Sequence, residues 1–149
     1  EYCLSRLVRQ YLSEATSPST KQMHGKRKLA DCINEVSMVV SIVASNGQTE
    51  AGAQGIQNAQ KAYRAGMAVL DVNHTNLSFA DDWQPRLDAA LRVLDKLNPQ
   101  DKYLVVKAIS SAVLQDGEVI TAEHELVRVI CALIHVPFPM IRTASLKKK

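Results

Sequence analysis

Three carboxylates around one tight turn are the residues of this sequence best suited to chemistry. Asp116, Glu118 and Glu123 fall within Leu114-Gln115-Asp116-Gly117-Glu118-Val119-Ile120-Thr121-Ala122-Glu123-His124-Glu125, between two apolar helical patterns. Hard cations of the calcium type take several oxygens converging on one point. A turn between helices can supply them, with Glu125 or the Gly117 carbonyl completing the set. The spacing departs from an EF-hand loop, which needs oxygen-bearing side chains at alternate positions and a glutamate at the twelfth. The same residues also have a plainer use: Asp116-Gly117 makes the turn, and Glu123 complements the helix dipole beside a Thr121 cap. A fainter copy of the pattern occurs earlier, in Ala44-Ser45-Asn46-Gly47-Gln48-Thr49-Glu50-Ala51.

Other chemistries find less support. Zinc proteolysis of the HExxH kind needs two histidines one helical turn apart with a glutamate between. His124-Glu125-Leu126-Val127-Arg128 begins that way, but Arg128 stands where the second histidine must be. His24, His74 and His135 fall in expected loops or at a helix end. There is no Walker loop and no GxSxG, and Gly47, Gly52 and Gly55 do not form a phosphate-binding fingerprint. The expectation is a chain without a catalytic site and with no cofactor beyond a divalent cation at the acidic turn. Cys3, Cys32 and Cys131 are odd in number and widely spaced, a usage that suits a reducing compartment. Cys32 and Cys131 lie on apolar stripes and read as small core residues.

The elements that must position these residues are all helices. A first helix is predicted over about Tyr2 to Glu14, with Leu4, Leu7, Val8, Tyr11 and Leu12 on one side, followed by a loop at Thr16-Ser17-Pro18-Ser19-Thr20. Leu29, Ile33, Val36, Val40 and Val43 form a helical stripe that Asn46-Gly47 ends. Thr49 then caps a third helix with Gly52, Ile56, Ala59, Tyr63, Gly66 and Leu70 on one face. Its internal glycines imply a neighbouring helix in close approach. Asp81 or Asp82 offers a cap for a fourth helix bearing Leu87, Ala90, Leu91, Leu94 and Leu97. Proline at the start of a fifth suits Asn98-Pro99, and Val105, Val106, Ile109, Ala112 and Val113 face inward there. The sixth, with Leu126, Val127, Val129, Ile130, Cys131, Leu133 and Ile134, is apolar nearly all round and reads as the central helix, stopped by Pro137 and Pro139. Residues 40–59 and 110–129 read as two copies of one helix-turn-helix unit, from which two pseudo-symmetric halves would follow.

At 149 residues, with 46% hydrophobic and only 5% aromatic residues, the chain suits one all-α domain with an aliphatic core. The expected architecture is a compact bundle of six to seven helices. Residues 1–28 form an N-terminal helix and basic linker packing on it, and residues 29–149 form the bundle itself. Net charge is +3. Lys26-Arg27-Lys28 and Lys147-Lys148-Lys149 make two basic knots, suited to a solvated surface or to contact with an acidic membrane surface. Nothing asks for a nucleic-acid partner. The longest apolar run, Val36 to Ala44, is about half a bilayer span. Opening on Glu1, the chain reads as a soluble piece of something longer.

The block from Leu87 through Pro139 resembles the tellurite-resistance TerB-like domain. The matching residues are Leu94-Asp95-Lys96-Leu97-Asn98-Pro99, Lys102, Ala112-Val113-Leu114-Gln115-Asp116-Gly117-Glu118, Thr121, Glu123, Glu125-Leu126, Arg128, Cys131-Ala132-Leu133 and Pro137. It is similar in particular to the C-terminal region of bacterial membrane-embedded HtpX-like zinc metallopeptidases. Ala62-Tyr63-Arg64-Ala65-Gly66 and Leu70 fit the segment before it, and residues 1–28 match by order only. The resemblance implies a compact helical bundle serving as a non-catalytic module, regulatory or protein-binding. Its partners would be the parent peptidase or other proteins, at the cytoplasmic face of the inner membrane. Zinc would belong to an upstream peptidase part. For the TerB group it also implies divalent-metal binding at acidic residues, for which Asp116, Glu118 and Glu123 are the counterparts here. In the earlier turn Asn46 and Gln48 replace Asp116 and Glu118, which speaks against a second, symmetric site.

Overall fold

The computed structural model describes residues 2–16, 28–46, 52–71, 82–115, 121–137 and 139. They form six α-helices and no strand: α1 (Tyr2–Thr16), α2 (Ile33–Asn46), α3 (Gly52–Val69), α4 (Trp83–Leu94), α5 (Pro99–Leu114) and α6 (Thr121–Leu133). A short 3-10 turn, Leu29–Cys32, leads into α2. The all-α bundle expected from the periodicity is therefore present. Both segments read as tight acidic or amide turns, at residues 47–51 and 116–120, lie outside the described residues, as do the loop with His74 and the basic knots except Lys28.

At the centre lies α2, which packs against α3, α4, α5 and α6. This corrects the placing of α6 there; α6 keeps an outer face on which Glu125 is half-buried and Arg128 exposed. Val36, Val39, Val40, Ile42 and Val43 are all buried in α2. Such β-branched residues cost a helix a few tenths of a kcal/mol each, against about 1.5–3 kcal/mol gained when each is buried. Packing therefore decides the helix. Two serines share the buried surface of α2: Ser37 Oγ is hydrogen-bonded to Tyr63 OH of α3 at 2.7 Å. Ser41 Oγ, one turn on, has no hydrogen-bond partner among the described residues.

Close helix approach explains one glycine of α3. A Cβ on Gly66 would meet Val40 Cγ1 at 2.8 Å and the Ala108 carbonyl oxygen at 2.9 Å. Ser111 Oγ of α5 donates to the Ala65 carbonyl beside it at 3.3 Å. Small residues thus let α3 lie against α2 and α5 together. The buried face of α3 is Gly55, Ala59, Ala62, Tyr63, Gly66 and Met67. Ile56, expected on it, is 48% exposed.

The stripes of α4 and α5 are buried as the spacing predicts: Leu87, Ala90, Leu91, Leu94 and Leu97, then Val105, Val106, Ile109, Ala112 and Val113. Asp82 precedes α4 but makes no side-chain cap; its carboxylate instead meets Arg86 Nε at 2.9 Å, one turn along. α1 packs on α6. Leu4, Val8 and Leu12, predicted on one side of it with Leu7, are exposed. Cys3 and Leu7 make the contact with the core, and Arg6 Nε lies 3.1 Å from Asp88 Oδ1 of α4.

Candidate functional site

Of the three carboxylates proposed for a cation, only Glu123 falls among the described residues; Asp116 and Glu118 lie outside them. Glu123 sits in the first turn of α6 and is 6% exposed. The α6 N-terminus provides a favourable field for that buried charge. Glu125, on the neighbouring surface, lies 3.9 Å from both His124 Nδ1 and Arg128 Nη1. The HExxH-like beginning at His124 is thus a loose set of surface pairs on one helical turn. Among the described residues no three His, Cys, Asp or Glu side chains gather as a metal centre would require.

The densest polar cluster with defined geometry is at the other end of α6, where it meets the α4–α5 junction. Asp95, the C-cap of α4, takes Lys102 Nζ at 3.0 Å and His135 Nδ1 at 2.9 Å, both on Oδ1. Lys102 is 5% exposed. Its Nζ is therefore held out of water against a carboxylate. His135 is set by local backbone geometry. Its φ of 58° is left-handed, and its amide donates to the Ala132 carbonyl while that of Val136 donates to Cys131. Those two bonds make the Schellman stop, usually built on glycine. Pro137 follows the stop rather than causing it.

A second cluster lies alongside. Asn98 Oδ1 accepts from the Asp101 amide at 2.9 Å, and Asn98 Nδ2 donates to Asp101 Oδ2 at 2.8 Å. The same Oδ2 accepts from the Leu29 amide at 2.8 Å. Asn98 thereby caps α5, with Pro99 in its first turn, and Asp101 ties the start of the 3-10 turn to that cap. Pro99, Gln100, Asp101, Tyr103 and Leu104 also line an open surface groove of about 510 Å³. Sequence reasoning missed both clusters. The Asn-x-x-Asp spacing is a legible capping signal; the meeting of Asp95 with His135, forty residues apart, has no local signal.

None of the three cysteines is in a disulfide. Burial pushes the Cys131 thiol up to about 11 and also raises that of Cys3, where the Glu125 carboxylate adds to the effect. Cys32 is fully buried. Both Cys32 and Cys131 are core residues, as their stripes predict, and the Cys131 thiol is held in its unreactive protonated form.

The chain matches no family model, no characterised protein and no solved structure at a significant level.

Proposed function

We propose that the chain is a non-catalytic, TerB-like accessory module of a membrane-associated zinc metallopeptidase, with a regulatory or protein-interaction role. The observation that carries this reading is where the resembling residues sit. Asp95, Asn98, Pro99 and Lys102 build the α4–α5 junction, and Cys131, Ala132 and Leu133 form the last turn of α6, where the Asp95-bound stop begins. Residues shared with the resembled domain thus frame a scaffold, and their polar groups tie helix to helix. A module of this kind acts by what it touches, through its surface.

The direct test is to read the coding sequence upstream of Glu1. The proposal expects an HExxH motif and apolar spans of about 20 residues there. An upstream region with neither would overturn it.

A second reading rests on Glu123. Glu123, buried in the first turn of α6, would supply one oxygen to a calcium-type cation, with Glu118 five and Asp116 seven residues before it in the sequence. A thermal melt with calcium, magnesium, manganese or zinc added singly tests it. A rise of several degrees with one ion, lost in Asp116→Asn, is the expected result; no rise with any of them removes the reading.

A further inference from the structure

Among the described side chains of α1, three aliphatic ones are turned outward. Leu4, Val8 and Leu12 follow one another at intervals of four, which lines them up along one side of the helix. They are 68%, 47% and 61% exposed. On the adjoining side Cys3 and Leu7 are partly buried, and Arg6 is engaged with Asp88. Exposed Arg9 flanks the apolar line. Three aligned aliphatic side chains make a patch on the order of 300 Å², well below the roughly 800 Å² per partner of a stable protein interface.

Charge is distributed to match. Residues 1–28 contain six basic and two acidic residues, residues 29–146 contain nine basic and thirteen acidic, and the last three residues are all lysine. The net positive charge thus lies at the two ends, one of which contains α1, while the chain between them is net acidic. Of the basic residues outside α1 in those end segments, only Arg27 is not lysine. Lysine is depleted in protein–protein interfaces, whereas clusters of it beside an amphipathic helix are drawn to anionic lipid headgroups.

We infer that α1 lies on an anionic lipid bilayer, with Leu4, Val8 and Leu12 at the boundary between headgroups and acyl chains and Arg9 at the headgroups. A bilayer needs no complementary groove and accepts a convex helix face of this modest area. Among the described residues no helix is long and apolar enough to cross a membrane, so the contact is one of lying on the surface. The inference stands on the residues of α1 and the charge layout, and does not depend on the peptidase assignment.

The test is co-sedimentation with vesicles of phosphatidylcholine alone or mixed with phosphatidylserine, at low and high salt. The chain is expected to pellet with the phosphatidylserine vesicles, to be released by salt and to ignore pure phosphatidylcholine. The uncharged double variant Leu4→Ser, Val8→Ser should keep its helical circular dichroism and lose about tenfold or more in partitioning. Failure to pellet with anionic vesicles overturns the inference, as does a double variant that binds like the wild type. Self-association that the double variant abolishes, without lipid binding, would give the face to a second copy of the chain instead.

Discussion

Asp95 holds three helix ends through one oxygen, and its two partners are not equivalent. Lys102 is buried and Asp95 about a third exposed, so the effect of removing either depends on what is left behind. Asp95→Ala strands the Lys102 ammonium and frees His135 at once. A loss of about 2–3 kcal/mol is expected after allowing for solvent around Asp95. Lys102→Met leaves only a solvent-accessible carboxylate and should lose less than about 1 kcal/mol. Urea denaturation of the two variants checks the asymmetry, and equal losses would contradict it. Cys131 gives a pH prediction with a definite sign. Burial raises its thiol in the fold to about 11, from an ordinary value of 9.0. Above pH 9 the unfolded chain therefore releases a proton that the folded chain retains, and stability falls between pH 9 and 11. Cys131→Ala should remove about 2 kcal/mol of that decline, measured as the difference between the two stability–pH curves. Ser41 offers the opposite change: its buried hydroxyl has no hydrogen-bond partner among the described residues, so Ser41→Ala should be neutral or stabilising by up to about 1 kcal/mol in the same denaturation assay.

Among the elements, α3 shows propensity and packing pulling in opposite directions. Gly66→Ala gains about 1 kcal/mol of helix propensity but drives a methyl group into Val40 and the Ala108 carbonyl. Overpacking against backbone should win, for a net loss of about 1–2 kcal/mol and a lower melting temperature. The periodicity made α4 and α5 legible because both are packed on the side their Leu and Val residues define. It found α3 but misplaced Ile56, because Ala and Gly carry little hydrophobic signal even where they make the tightest contact. The end of α6 was read from Pro137. The actual stop is His135 in a left-handed conformation closed by two local backbone bonds, and a histidine there lacks the glycine by which such a stop is read from sequence. For α1 the sequence revealed an amphipathic helix but not its direction, since apolar periodicity does not say whether the bundle or an outside surface covers the stripe.

For the whole molecule, the clearest feature is a bundle centred on α2 whose least-embedded helix carries an apolar face outward. The polar groups of Asp95, Asn98, Asp101 and Lys102 tie the framework together, and the aliphatic line of Leu4, Val8 and Leu12 is left exposed on α1. The acidic turn, the chemistry most legible in the sequence, is represented in the described structure only by Glu123, whose burial is compatible with dipole complementation and with a cation alike. The central claim, that this segment serves a zinc peptidase without taking part in its chemistry, is tested most directly by deleting residues 1–149 from the parent chain and comparing zinc content and cleavage of a short peptide with cleavage of a folded or membrane protein. The account predicts full zinc occupancy and unchanged short-peptide turnover, with cleavage of the larger substrate altered. Loss of zinc or of short-peptide hydrolysis from a deletion variant that remains folded would contradict it.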